Sequence, residues 1–183
     1  MSHTLIVLLH DRPGVLHRAV SLFRRRGYNI ESLTVGHSEV PGVSRMTAVV
    51  DAKDVEQVIR QLSRIVEVLT VSDVTNVPVV VRETALLKVS VTADAQAALL
   101  AVGAELGARA IDVGPSTVVF ELTAEPWAVD EFIAAVRPYG IRELMRSGHL
   151  AMRCGATADT VGAAAAPYYF QADGMSDPDS VEG

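Results

Sequence analysis

The 183-residue sequence has one cysteine, Cys154, so no intrachain disulfide can form and a cysteine-rich zinc site is excluded. A reducing compartment, the cytoplasm, suits such a chain. The opening "MSHTLIVLLHDRPG" has no basic flank and too short an apolar run for a signal peptide or a membrane span, so it is expected to be a strand. No P-loop, G-x-S-x-G, H-E-x-x-H or C-x-x-C is present, and nothing announces an active site. His3, His10, His17, His37 and His149 are scattered without metal-ligand spacing. Cys154 with nearby His149 makes a poor nucleophile pair at the end of the chain's last patterned segment.

A basic surplus is missing too. All 16 Lys and Arg but only 17 of the 22 acidic residues precede residue 158, so residues 1–157 carry −1 of the net −6. A near-neutral body is unsuited to neutralising phosphates, which argues against nucleic-acid binding. The remaining charge sits in a tail, residues 158–183, that is rich in Ala, Gly and Asp and is expected to be mobile and acidic. Tyr168, Tyr169 and Phe170 are its one aromatic cluster.

What is present is periodicity. An apolar strand over residues 5–9 stops at "DRPG", where Asp11 is expected to cap a helix carrying Leu16, Ala19, Val20 and Phe23 on its buried side. Arg24, Arg25 and Arg26 before Gly27 suit the end of that helix, where cations offset its dipole. "NIESLTV" and "SRMTAVV" form a hairpin through Pro41 and Gly42. A helix capped by Asp54, with Val55, Val58, Ile59 and Leu62, follows, then a β-branched strand.

After "NVPVVVRE" the order recurs: strand "ALLKVSV", a helix capped by Asp94, the hairpin "ARAIDVG"/"TVVFELT", a helix bearing Val129, Phe132, Ile133 and Val136, and strand "IRELMRS". The fold class expected is α+β, two tandem ferredoxin-like βαββαβ domains with a disordered acidic tail. The divisions are 1–76, a linker 77–83, 84–157 and the tail 158–183. Each four-stranded sheet would have helices on one face only, leaving the other face for a partner or a second copy.

The turn at Gly14 has two readings. Its unpaired backbone N–H groups at a helix start suit a carboxylate, with the amide of Asn29 and the apolar side chain of Ile30 completing a small pocket; alternatively Gly14 only eases a tight turn.

"DRPGVLHRAVSLFRRRGYNIESLTVG" followed by "PGVSRMT" resembles the amino-terminal ACT domain of the small, regulatory subunits of acetolactate synthase (acetohydroxyacid synthase). Weaker echoes run through "ALLKVSV", "ARAIDVGPSTVVFELT" and "RPYGIRELMRSG". The resemblance implies an ACT domain and a second ferredoxin-like domain with no active site of their own. It further implies homodimerisation through the ACT domain and binding to a catalytic large subunit that holds the cofactors thiamine diphosphate, magnesium and FAD. Activation of that partner, with feedback inhibition by valine or another branched-chain amino acid, is the implied role. The effector residues it implies are Asp11, Gly14, Val15, Leu16, Asn29 and Ile30, split between the first loop of one chain and the second strand of the other. Asp11 stands where many valine-sensitive relatives have Asn, so the effector's identity is open. The rival readings are a stand-alone ACT amino-acid sensor, an ACT-containing enzyme, against which the lack of catalytic motifs stands, and an RNA-recognition domain. The last lacks its stacking aromatics, since neither "HTLIVLLH" nor "SRMTAVVD" has one.

Overall fold

A computed structural model describes residues 1–161. The aromatic cluster and the rest of the tail from 162 lie outside the described residues. The elements are β1 (Ser2–His10), α1 (Val15–Arg26), β2 (Asn29–His37), β3 (Val43–Asp51), α2 (Val55–Leu62) and β4 (Val68–Asp73). They are followed by β5 (Val79–Ser90), α3 (Gln96–Glu105), β6 (Arg109–Val113), β7 (Thr117–Ala124), α4 (Pro126–Val136), β8 (Ile141–Arg146) and β9 (Leu150–Arg153). The first sheet runs β2-β3-β1-β4, and the second runs β6-β7-β5-β8 with β9 also paired to β5; all pairs are antiparallel.

β1 is apolar from Leu5 to Leu9, where it lies between β3 and β4 and is covered on both faces. Leu5, Val7 and Leu9 meet the helices, while Leu8 packs on the opposite side with Val43 and Val161. The second core gathers Leu87, Val89, Leu99, Phe120, Phe132 and Val136 between its sheet and α3 and α4. The hairpins, the order of elements and the helix ends at Gly27 and Gly107 follow the sequence pattern, both glycines having positive φ. The arginine triplet fills the last turn of α1, and Asp54 caps α2 by accepting from the Gln57 N–H at 2.9 Å.

Several details differ from the sequence expectation. Asp11 does not cap α1: the N-cap is Gly14 at φ +83°, and the Asp11 carboxylate instead faces His37 Nδ1 at 3.2 Å. The buried stripe of α1 is consequently Val15, Ala19, Leu22 and Phe23, leaving Leu16 39% exposed. Asp94 does not cap α3, which starts two residues later behind Ala95. Stretch 77–83 becomes strand at Val79, because Val79–Arg82 pairs with β9, a fifth strand that the periodicity did not show.

The open face of the first sheet is also not left free. The segment 147–161 crosses it, with Val161 packed on Leu8 and Val43. The start of the expected mobile tail is held there: Asp159, its side chain only 4% exposed, accepts from Arg153 Nε at 2.9 Å, and its carbonyl accepts from Arg45. No helix among the described residues is long and apolar enough to cross a membrane.

Candidate functional site

The loop between β1 and α1 is fixed by backbone bonds. His10 donates to the Glu67 carbonyl at 2.8 Å and Asp11 to that of Gly42 at 2.9 Å. The chain then turns back on itself, Val15 N–H donating to the Arg12 carbonyl at 3.3 Å. Gly14 permits that turn because its left-handed conformation is one that L side chains rarely adopt. A β-carbon there would meet only Arg18 Nη1, at 3.9 Å, so the turn is open to solvent. The exposed start of α1 behind it supplies the positive end of a twelve-residue helix. Arg18 itself pairs with Glu67. The Val15 side chain belongs to the core, so only its backbone is available to a ligand; Leu16 offers exposed apolar surface.

Asn29 and Ile30 are not beside this loop. In the ladder Asn29 faces Asp51, which also faces Ser2 at the start of β1, whereas His10 at the end of β1 faces Val43, and His37 faces Ser44. Loop 11–16 and the start of β2 are therefore at opposite ends of one sheet, about 25 Å apart at 3.3 Å per residue. Asn29 is exposed; Ile30 is half-buried against the first core. A single chain brings Asp11, Gly14, Val15 and Leu16 together and leaves Asn29 and Ile30 out.

β2 is a nine-residue edge strand. Antiparallel pairing of two such edges about a two-fold axis sets the start of one β2 beside the end of the other, and the end of β2 already touches the loop through His37 and Asp11.

Behind β2 lies a group of residues that no motif marks. The turn between β8 and β9 sits on the outer face of β2: Thr34 Oγ1 donates to the Ser147 carbonyl at 3.0 Å, and His149 N–H donates to Ser32 Oγ at 2.8 Å. Arg146, just before the turn, forks onto the buried Glu83 with Nε at 2.9 Å and also reaches Asp130 at 2.7 Å. The Glu83 hydrogen bond, opposed by burial and supported by Asp130, raises the Arg146 pKa above its ordinary value, so the guanidinium stays charged. Beside the turn, a cleft of about 660 Å³ lies between Thr34, His37, Arg45 and Thr47 on one side and Val80, Leu150 and Met152 on the other. None of the six predicted effector residues lines it. The alternation of Ser32 and Thr34 in the sequence marks an outward face, but nothing local signals what covers it. No group of three or more His, Cys, Asp or Glu among the described residues is arranged to hold a metal ion, and Cys154 is exposed.

The fold and this loop define a class: paired ferredoxin-like units, the first of ACT type. Comparison with known proteins narrows it. Residues 5–70 match the family model for the AHAS small subunit-like ACT domain, and residues 82–155 match that for the small subunit of acetolactate synthase. A probable acetolactate synthase small subunit of Archaeoglobus fulgidus is 44% identical over 154 residues, covering 83% of this chain and 96% of that protein. The acetolactate synthase small subunit of Bacillus subtilis is 39% identical over 158 residues, 85% and 92% of the two chains. The crystal structure of the acetolactate synthase small subunit from Thermotoga maritima superposes with a TM-score of 0.80 at 34% identity, covering 86% of this chain and 99% of that one. The chain belongs to the acetolactate synthase small-subunit family.

Proposed function

We propose that this protein binds the catalytic large subunit of acetolactate synthase in the cytoplasm, raises its activity, and makes it subject to feedback inhibition by valine or a related branched-chain amino acid. The chemistry, with its thiamine diphosphate, magnesium and FAD, belongs to the partner, and this chain contributes regulation only. The carrying observation is the placement of loop 11–16 and Asn29–Ile30 at opposite ends of a sheet whose edge is β2. Two copies joined through β2 bring the loop of one to the strand start of the other and create two equivalent sites.

In each site the backbone around Gly14 to Leu16 takes the effector's carboxylate at the positive helix end. Asp11 accepts from its ammonium, Asn29 of the second copy hydrogen-bonds the polar end, and Ile30 lines the apolar side. Inhibition then requires the effector to bind more tightly to the conformation found in the less active complex.

The test mixes purified chain with catalytic subunit and pyruvate, with and without valine. A rise in rate on mixing and a fall with valine are expected; no change in either case would defeat the proposal and favour a stand-alone sensor. Gly14→Asp is expected to remove the inhibition, because it strains a position at φ +83° and sets a negative charge against the effector's carboxylate. Full inhibition in that variant would refute the site. Sedimentation should give twice 19.5 kDa for the free chain.

A further inference from the structure

We infer that the turn Ser147–Gly148–His149 is the link that carries effector occupancy from β2 to the second unit. The inference rests on the effector site proposed above and concerns how that site is read. The two units have separate cores and separate sheets. Apart from the chain segment 74–78 that joins β4 to β5, what passes between them crosses the contacts over the outer face of the first sheet. Two of those contacts fall on β2 itself, the hydrogen bonds of Thr34 to the Ser147 carbonyl and of the His149 N–H to Ser32. Ser32 and Thr34 stand two and four residues beyond Ile30 on the same strand, so the strand that would grip the effector also holds the turn.

Neither side of this contact has slack. A β-carbon on Gly148 would be 2.8 Å from both Ser32 Oγ and Thr34 Oγ1 and 3.3 Å from the Leu33 carbonyl, so the turn's backbone lies directly against the two hydroxyls. Ser147 is itself tied to β5, its N–H donating to the Thr84 carbonyl at 2.9 Å and its Oγ accepting from the Thr84 N–H at 3.0 Å. Arg146 is anchored on Glu83 and Asp130. The ladder between β2 and β3 shifts register between Ile30 and Ser32, and a bulged strand bends at that point. A ligand drawing Ile30 inward thus rotates Ser32 and Thr34 against the turn. The turn, having no room to yield locally, moves β8 and β9 with it.

The experiment compares the full wild-type chain, Ser32→Ala with Thr34→Val, Thr34→Ser, and Gly148→Ala, each mixed with catalytic subunit. Valine binding is measured by calorimetry and rate by valine titration. The double variant and Gly148→Ala should bind valine within about twofold of wild type and still stimulate the partner. Their inhibition by valine should weaken at least about fivefold, the lower end of ordinary coupling strengths. Thr34→Ser, which keeps the hydroxyl, should behave as wild type. Undiminished inhibition in both the double variant and Gly148→Ala would overturn the link while leaving the effector site standing. Loss of valine binding in them would also overturn it, by placing these residues in the site. A wild type indifferent to valine would overturn the effector site and the link together. Gly148→Ala retains all the hydroxyls, so it decides the matter if the double variant does not fold.

Discussion

Gly103→Ala sets two known effects of opposite sign against each other. Gly103 lies within α3, where alanine is favoured over glycine by about 1 kcal/mol in helix propensity. On an exposed helix the substitution would stabilise. Here, however, an added β-carbon would be 2.4 Å from Phe120 Cε1, 3.0 Å from Cδ1 and 3.1 Å from Cζ. The ring cannot swing away freely, since Phe120 is 1% exposed and packs edge-on to the fully buried Phe132, with ring centroids 5.5 Å apart at 79°. Overpacking a filled core costs about 1–3 kcal/mol. An overlap this deep falls in the upper part of that range, so the packing loss exceeds the propensity gain and a net destabilisation of about 1–2 kcal/mol results. For a chain of this size each kcal/mol lowers Tm by about 2–4 °C, giving a fall of about 2–8 °C by circular dichroism. Phe120→Leu added to Gly103→Ala shortens the obstructing side chain, and the double-mutant cycle should show a favourable coupling of at least about 0.5 kcal/mol. If Gly103→Ala melts at or above wild type, α3 does not approach β7 as described, and the packing argument is wrong.

Two further outcomes test the anchor of the turn before β9 and the docking of residues 159–161. Arg146→Met strands the Glu83 carboxylate at 3% exposure, and breaking a buried pair of this kind costs about 3–5 kcal/mol. Because Arg146 is itself one-third exposed, a loss nearer the low end is expected in urea unfolding, and adding Glu83→Met should recover most of it. Glu39 provides a pH signature. The Thr160 hydroxyl, helped by a backbone hydrogen bond and the Arg45 charge, holds its carboxyl below the ordinary 4.5. A depressed folded pKa contributes stability that is present above 4.5 and lost as pH falls through the folded value, so docking of residues 159–161 should loosen on acidification below 4.5. In an NMR titration Thr160→Val should move the Glu39 midpoint back up toward 4.5; an unmoved midpoint would remove the Thr160 contact from the account.

The sequence by itself determined the local structure and its repetition. Helix spacing in Val55–Leu62 and Val129–Val136, the stops at Gly27 and Gly107, and the turns at Pro41–Gly42 and Gly114–Ser116 reflect interactions among neighbours a few residues apart, which periodicity and turn chemistry record. The loop proposed to hold the effector is legible for the same reason, as one contiguous motif, although a positive-φ glycine rather than Asp11 starts α1, without a side-chain hydrogen bond.

Tertiary structure decided what depends on residues far apart in the chain. That loop 11–16 and Asn29 lie at opposite ends of one sheet follows from the register of β1, β2 and β3 rather than from any local pattern. That β9 exists depends on its pairing with Val79–Arg82, and a four-residue strand has too little periodicity to declare itself. The contacts of Ser32 and Thr34 with the turn at Gly148 span 117 and 113 residues. Such a contact leaves only a serine, a threonine and a glycine in the sequence, none distinguishable from its neighbours until the chain closes on itself.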